Sequence, residues 1–234
     1  MNHSQYLKDI DVFEQLTKNE LRNIHDARVC KNLAKGEIVS EPGQCDNKVY
    51  VVEQGQIRLY YLAQDGREQT LDILPRGAFF GDIALDSNIE AYCAFAAAEQ
   101  TGTTVCILKK DDFFKLVSTR PKLALKIISD LAQRLSYAQE KISKLTLADA
   151  KARLISELFR LGKNFGTEDE KSIQLKRRFT HEQLANLIGT TRETVTKTIK
   201  AINDDCPGCI AQDKNHYLVI NKHMVLEVIS GAFP

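Results

Sequence analysis

The sequence contains no apolar run that would cross a membrane. None of its stretches approaches the roughly 18 consecutive apolar residues that span a bilayer. The N-terminal residues MNHSQYLKDIDVF also lack a basic segment followed by an apolar one, which argues against a secretory signal peptide. We therefore expect a cytoplasmic protein, and 234 residues are long enough for two domains with a core each.

Cysteine is sparse and net charge is nearly absent. The six cysteines, at positions 30, 45, 93, 106, 206 and 209, are too scattered for a secreted disulfide scaffold, so we expect most of them to be reduced thiols. The formal net charge is only +1, yet residues 150–234 carry 13 basic and 10 acidic side chains. The small basic surplus therefore lies in the C-terminal part of the chain.

Residues 180–202 (THEQLANLIGTTRETVTKTIKAI) are predicted to form two short helices joined at Gly189. Thr180 and Gln183 have the spacing of a capping box, in which each side chain satisfies a backbone donor at the helix start. Gly189 can adopt the positive φ that ends a helix abruptly. The apolar positions of the first helix share one face: Leu184, Leu187 and Ile188.

The second helix is predicted to begin at Thr190 or Thr191, with Glu193 placed to complete a capping box from Thr190. Val195, Ile199 and Ile202 would point inward. Its outer face suits a DNA major groove, since Arg grips guanine, Glu accepts from cytosine, and Lys and Thr bind base edges or phosphates. This is the geometry of a helix-turn-helix. The candidate DNA-binding residues are Thr180, Thr191, Arg192, Glu193, Thr196 and Lys197.

An ordinary helical hairpin with a charged face is the simpler alternative, and two features count against it. From Lys171 to Lys200 the chain holds seven Lys or Arg and two Glu, a basic excess that suits phosphate contact. Residues 210–220 (IAQDKNHYLVI) alternate around a polar turn and are predicted to form a β-hairpin, the wing. Further electrostatic attraction is expected from Lys176, Arg177 and Arg178.

Short strands separated by regular turn signals are predicted between residues 33 and 108. β-branched or aromatic runs occur at 49–52, 57–61, 70–74 and 103–108, with glycine or proline between them. This spacing indicates an antiparallel sandwich or barrel that can enclose a sensor cavity. Residues 1–30 are predicted to form short helices.

A long helical stretch follows from about residue 120 to residue 161, interrupted at most once. Its apolar side chains step alternately by four and three residues, the spacing of a two-stranded coiled coil. A core-facing helix within one subunit is the alternative, but three heptads in strict register favour dimerisation. The predicted seam consists of Ala124, Ile128, Leu131, Leu135, Ala138, Ile142 and Leu145.

In this order of elements the chain resembles the CRP/FNR family of bacterial transcription regulators. The resemblance covers nearly the whole chain. It rests on residues 35–38 (KGEI), 55–60 (GQIRLY) and 77–82 (GAFFGD), and on Gly189 with residues 192–195 (RETV).

The resemblance implies an α+β fold in three parts. These are an N-terminal antiparallel β-roll, jelly-roll-like, that senses a signal (1–119), a long dimerisation helix (120–148) and a C-terminal winged helix-turn-helix (149–234). It also implies a homodimer that binds double-stranded DNA at a pseudo-palindromic operator and contacts RNA polymerase. A hinge near residues 147–149 would re-aim the recognition helices when the effector binds.

Departures from the family pattern argue against cyclic AMP as the effector. Members that bind it carry Gly-Glu in the phosphate-binding turn, an Arg-Ser pair further on and a Thr-Ser pair on the long helix, and none of the three is present here. Between Arg76 and Lys109 the sequence also has no Arg or Lys to hold a phosphate. The implied effector positions are Gly81, Asp82, Ile83, Tyr92, Cys93, Ala138 and Gln139.

The sequence does not identify a cofactor. Iron-sulfur members have a cluster of N-terminal cysteines, and Cys30 and Cys45, fifteen residues apart, do not supply one. Haem would need an axial ligand, for which His25, Cys93 and Cys106 are the candidates, although a lone His or Cys is more often structural.

Residues 206–209 (CPGC) lie between the predicted recognition helix and the wing. Two thiols around Pro-Gly can close a disulfide or supply half of a tetrahedral metal site. Three interpretations stay open: a structural turn with incidental thiols, a redox switch that tilts the wing, and a metal site. The metal site would need His216 with Asp204 or Asp205, because there is no second CxxC.

The sequence therefore predicts a homodimeric DNA-binding regulator, and not an enzyme, that responds to a small-molecule or redox signal. The alternative is an enzyme, a thiol-disulfide redox protein that uses Cys206 and Cys209. Against it, the cysteine pair lacks the βαβ setting of such enzymes. A nucleotide-binding module of the kind attached to kinases or channels is a third class, and residues 171–220 argue against it.

Overall fold

The structure is a computed structural model that describes residues 29–42, 47–83 and 94–222. The predicted helices within residues 1–30, together with Tyr92 and Cys93, lie outside the described residues. Contacts divide the chain into two units, Met1–Ser136 and Tyr137–Pro234.

Antiparallel strands build the N-terminal unit. One sheet has the order β1-β8-β3-β6 and the other the order β2-β7-β4-β5. The four runs that the sequence predicted as strands are β3, β4, β5 and β8, so this part of the prediction is confirmed. The strands are β1 (Val29–Leu33), β2 (Ile38–Ser40), β3 (Lys48–Gln54), β4 (Ile57–Leu62), β5 (Glu68–Leu74), β6 (Phe79–Gly81), β7 (Phe95–Ala98) and β8 (Thr103–Lys109).

The core of this unit lies between the two sheets. Side chains alternate along each strand, so one face of β3 and β8 buries Val52 and Val105 against Ile57 and Leu74 of the second sheet. The opposite face of β3 and β8 packs on helix α1 (Lys110–Ser118) through Phe113. Burial on both faces explains the continuous apolar run at residues 49–52 of β3.

Two helices replace the predicted helical stretch. Helix α2 (Pro121–Leu147) ends before Asp149, whose carboxylate accepts a hydrogen bond of 2.8 Å from Ala152 N at the start of helix α3 (Ala150–Phe165). The single interruption is therefore confirmed, and it has a capping residue as its cause. None of the described helices is both long and apolar enough to cross a membrane.

The C-terminal unit packs three helices beside a small sheet of order β11-β12-β10-β9. Its core includes Leu158 of α3, Leu184 and Val195. The predicted wing hairpin is confirmed, whereas β9 and β10 were not predicted. The remaining elements are β9 (Gly166–Glu168), β10 (Ser172–Leu175), α4 (His181–Ile188), α5 (Arg192–Asp205), β11 (Ile210–Gln212) and β12 (Leu218–Asn221). The predicted α+β fold class is thereby confirmed.

Candidate nucleic-acid interface and effector site

Helix α4 begins and ends as its sequence predicts. The Thr180 hydroxyl accepts from Gln183 N at 3.1 Å, and the Gln183 side chain accepts from Thr180 N at 2.9 Å, which completes the capping box. At the other end Gly189 adopts φ 67° and ψ 53°, in the left-handed region. Thr190 N then donates to Ala185 O at 3.1 Å, and the chain turns sharply into α5.

Replacing Gly189 with Ala should lower the free energy of unfolding by about 1 to 2 kcal/mol, because a Cβ is disfavoured in the left-handed region. Urea unfolding of the two proteins measures the difference. Gly189→Asn is the matched control, since Asn tolerates this conformation and should lose less. Equal stability of the Ala variant would contradict the role given to this turn.

Helix α5 starts at Thr191, whose hydroxyl accepts from Thr194 N at 3.2 Å. The predicted capping box between Thr190 and Glu193 is wrong, because the helix begins one residue later and Thr194 takes the third position. Glu193 is consequently exposed on the first turn of the helix. An acidic residue there also complements the positive end of the helix dipole.

The six candidate DNA-binding residues are all exposed: five lie at the N-cap or in the first two turns of α5, and Thr180 caps α4. The inward side of the helix is fixed by Val195 and Ile202, which are fully buried. The fixed inward side leaves the opposite side free to meet a groove. The exposed residues are Thr180, Thr191, Arg192, Glu193, Thr196 and Lys197.

His181 is a residue of this surface that the sequence did not single out. Its Nδ1 lies 2.8 Å from the Thr196 hydroxyl, and that hydroxyl donates to Arg192 O at 3.0 Å. A hydroxyl has one proton, so while the Thr196 hydroxyl donates to Arg192 O it can only accept from His181 Nδ1. The Thr196 hydroxyl therefore links α4 to α5 through a hydrogen bond. The methyl group of the Thr196 side chain is left to contact a base.

The three basic residues before α4 differ in the contacts that their side chains make. Lys176 is exposed, the Arg177 guanidinium lies 4.3 Å from the centroid of the Phe179 ring, and Arg178 Nε donates to Asn215 O of the wing turn at 2.9 Å. All three place positive charge on the segment that leads into α4. Arg178 also anchors the tip of the wing to this segment.

Asp213 holds the wing turn in place. Its carboxylate accepts hydrogen bonds from Asn215 N and Tyr217 N, each at 2.8 Å, and from the Gln174 side chain of β10 at 2.8 Å.

A second carboxylate holds the turn between β9 and β10. The backbone amides of Ser172 and Lys171 donate to Asp169 and hold the pKa of its carboxyl below the usual value.

Residues 206–209 form a tight turn between α5 and β11, closed by a disulfide between Cys206 and Cys209. The Asn203 amide braces the turn: its Nδ2 donates to Ile210 O at 2.8 Å, and its Oδ1 accepts from Ile210 N at 3.1 Å. In the described ranges the cysteines do not converge with His216, Asp204 or Asp205 into a group of metal-ligating atoms. The disulfide makes the turn a cross-linked one, in which the cysteines are not incidental thiols, and the redox role stays a prediction.

In the N-terminal unit the implied effector turn contains an ion pair. Asp82 Oδ1 lies 2.8 Å from Lys110 Nζ, and both side chains are mostly buried. Gly81 has φ +98°, and a Cβ there would come within 2.6 Å of Lys48 O, so only glycine fits. Ile83 packs against the core cluster beneath α1. Lys110 is thus a cation beside the turn, although the sequence between Arg76 and Lys109 contains neither Arg nor Lys.

The long helix α2 supplies a second cation that the sequence analysis did not identify. Arg134 Nη1 donates to Phe79 O of β6 at 2.8 Å, and the same side chain pairs with Asp130 at 2.9 Å. Ala138 and Gln139, the other implied effector positions, are exposed on this helix.

The described cysteines are paired, which corrects the expectation that most cysteines are reduced thiols. Besides the pair in the turn after α5, Cys30 is bonded to Cys106 in the N-terminal unit. A bonded Cys106 offers no thiolate to haem, so the structure does not support that ligand.

Comparisons with known proteins match both units. Residues 30–120 match the family model of the cyclic nucleotide-binding domain, and residues 152–227 match that of the Crp-like helix-turn-helix domain.

Named relatives span most of the chain. The CRP-like cAMP-activated global transcriptional regulator of Mycobacterium tuberculosis is 25% identical over 166 residues, which is 70% of this chain and 73% of the relative. The global nitrogen regulator of Synechococcus elongatus is 26% identical over 187 residues, covering 80% and 83%. A solved structure of a CooA mutant from Carboxydothermus hydrogenoformans has a TM-score of 0.75 at 24% identity and covers 89% of this chain and 90% of that one.

Proposed function

The chain belongs to the CRP/FNR family of DNA-binding transcription regulators, and we propose that it acts as a homodimer on a pseudo-palindromic operator under an effector other than cyclic AMP. It contacts RNA polymerase from that operator. In this proposal the sensor domain is residues 1–119, the dimerisation helix 120–148 and the DNA-binding domain 149–234, and the protein has no enzymatic activity.

One observation carries the proposal: a rigidly capped helix presents Arg192, Glu193 and Lys197 on one exposed side. These residue types match the donors and acceptors of base edges in the major groove. The helix begins at a tight turn, and α4 and the wing brace it. A preorganised reading surface of this kind supports recognition of sequence rather than of charge alone.

The homodimer is supported by an apolar stripe on α2. Ile128, Leu131, Leu135, Ile142 and Leu145 are all exposed in a single copy of the chain. Exposed large apolar side chains in heptad register are rarely left in water, and a second copy of the same helix matches their spacing. A two-fold dimer carries two recognition helices, the number needed for two half-sites in successive major grooves about 34 Å apart.

An effector other than cyclic AMP is supported by the charges at the implied effector turn. A cyclic phosphate needs an unengaged cation, whereas Lys110 is paired with Asp82 and Arg134 is bonded to Phe79 O and Asp130. The effector positions Gly81, Asp82, Ile83, Tyr92, Cys93, Ala138 and Gln139 therefore remain proposals for a ligand of different chemistry.

Selection of bound DNA from a random-sequence pool tests the function. The purified chain should enrich sites with two-fold symmetry whose half-sites lie about 10 base pairs apart, centre to centre. Adding cyclic AMP should leave the affinity for the enriched site unchanged. Enrichment of no symmetric site would contradict the operator proposal, and a large gain of affinity with cyclic AMP would contradict the effector proposal.

A further inference from the structure

Two cysteines face each other on neighbouring strands of the sensor unit. Cys30 of β1 lies directly opposite Cys106 of β8 in the antiparallel register, and the two are disulfide-bonded although 76 residues separate them. Their environments differ. Cys30 is exposed, whereas Cys106 is only 3% exposed. Small reagents in solution can therefore reach the pair from the side of Cys30.

A carboxylate completes the cluster. Val52 pairs with Val105 and Gln54 with Thr104, so Glu53 is the extra residue of a bulge in β3. Glu53 Oε2 lies 3.1 Å from Cys106 Sγ. A bonded sulfur has no proton to donate, whereas a thiol at this position would donate one to the carboxylate. Glu53 is thus placed to accept a hydrogen bond from Cys106 when the disulfide is reduced.

We propose that Cys30 and Cys106 form a reversible thiol-disulfide site in the sensor unit. The reactant is a low-molecular-weight disulfide, and Glu53 accepts the proton of Cys106. The site is separate from the Cys206 and Cys209 turn. The proposal is also independent of DNA binding, because it concerns the chemistry of the sensor unit alone.

The reaction proceeds in two exchanges. The exposed Cys30 thiolate attacks a small disulfide RSSR, forming a mixed disulfide and releasing one thiolate RS⁻. Cys106 then passes its proton to Glu53, and its sulfur attacks the Cys30 sulfur and expels the second RS⁻. Glu53 returns the proton to solvent. In sum two protein thiols and RSSR give the protein disulfide and two RSH, so the protein loses two electrons and RSSR gains them.

The bond fastens the edge of a sheet. Among the described strands, β1 is at the edge of its sheet and is hydrogen-bonded only to β8. Four of the five residues of β1 are exposed, so little apolar burial secures it. The Asn32 side chain accepts from the Thr104 hydroxyl at 2.8 Å as a second, weaker link between the strands. Reduction would therefore leave β1 more weakly attached, and the sensor unit would have two forms.

The test starts from the full chain, reduced with dithiothreitol, desalted and mixed with oxidised glutathione at neutral pH. Samples are quenched with acid, alkylated and digested, and the peptides are identified by mass spectrometry. We expect glutathione on Cys30 to appear first, the Cys30–Cys106 peptide to replace it, and dithiothreitol to reverse the bond in the folded protein. Amide hydrogen exchange in β1 should be slower in the bonded form.

Two variants separate the steps. Glu53→Gln keeps the shape but removes the proton acceptor, so the glutathione adduct on Cys30 should accumulate while closure slows at least about tenfold. Cys30→Ser changes an exposed residue; it should fold, form no adduct at Cys106 and form no bond. The Cys206–Cys209 peptide in each digest is the internal control.

Three outcomes would overturn the proposal. In the first, the bond resists dithiothreitol in the folded protein, which would make it a permanent structural link. In the second, the reduced thiols fail to close in oxidised glutathione. In the third, the reduced protein retains one equivalent of zinc that Cys30→Ser loses, which would make the cluster a metal site.

Discussion

Replacing Leu135 with Glu is expected to convert the protein to monomers and to abolish operator binding at concentrations where the unaltered chain is dimeric. Leu135 is central in the heptad stripe of α2 and is 60% exposed in a single copy. In the proposed dimer the two copies of this side chain would bury each other. The substitution would place two carboxylates face to face in an apolar seam, where each loses its hydration.

The expected change in the dimer dissociation constant follows from the apolar area that the leucine side chains bury. Burying one leucine side chain contributes about 1.5 to 3 kcal/mol, and the seam would lose two of them. The loss of about 3 to 6 kcal/mol raises the dimer dissociation constant roughly 150- to 20,000-fold. Operator binding falls with it, because a monomer gains only one half-site and forfeits the effective concentration of the second.

Gln133→Glu is the matched control. Gln133 is exposed on the same helix but lies off the heptad stripe, so an added charge there should leave the dimer intact. Sedimentation velocity over a range of protein concentrations measures both variants. Circular dichroism checks that the Leu135 variant retains its helices. A Leu135→Glu protein that stays dimeric would mean that α2 is not the interface.

The elements that the sequence predicted correctly are those with a repeating pattern or a local cap. Helix α4 has both its capping box and Gly189 within ten residues, so both of its ends could be predicted. The stripe on α2 repeats over three heptads. In β3 and β8, β-branched residues make strand formation the only plausible prediction. Such signals lie within the segment itself and need no knowledge of its neighbours.

The features that were missed depend on contacts distant in the chain. β6 and β9 have three residues each, too few for a periodic pattern, and they form because a neighbouring strand offers a partner. The pairs Lys110 with Asp82, and His181 with Thr196, join different elements. Cysteine spacing predicts a disulfide only where the two residues lie close together, so the Cys30 to Cys106 pair has no local signal. Much of the candidate site chemistry arises from such pairs.

Replacing Arg192 with Ala is expected to relax operator specificity at one base pair of each half-site. Arg192 is the first residue of α5 and is exposed, where its guanidinium can bind guanine O6 and N7 together. Losing that pair of hydrogen bonds should cost about 1 to 3 kcal/mol per half-site, roughly 5- to 150-fold in affinity. The loss should be confined to operators that carry the preferred base there. On operators with any other base at that position, the variant and the unaltered chain should bind nearly equally.

Lys176→Ala separates base reading from charge. Lys176 is exposed on the segment that leads into α4 and is expected to meet phosphate, so its removal should weaken binding to every sequence alike and reduce the salt dependence by about one ion. Fluorescence anisotropy with a panel of single-base operator variants at several salt concentrations distinguishes the two patterns. Arg192→Ala could instead weaken all operators equally and shift the salt dependence as Lys176→Ala does. Arg192 would then be a phosphate contact. Base recognition would have to come from Glu193 and Lys197, which are exposed on the same helix.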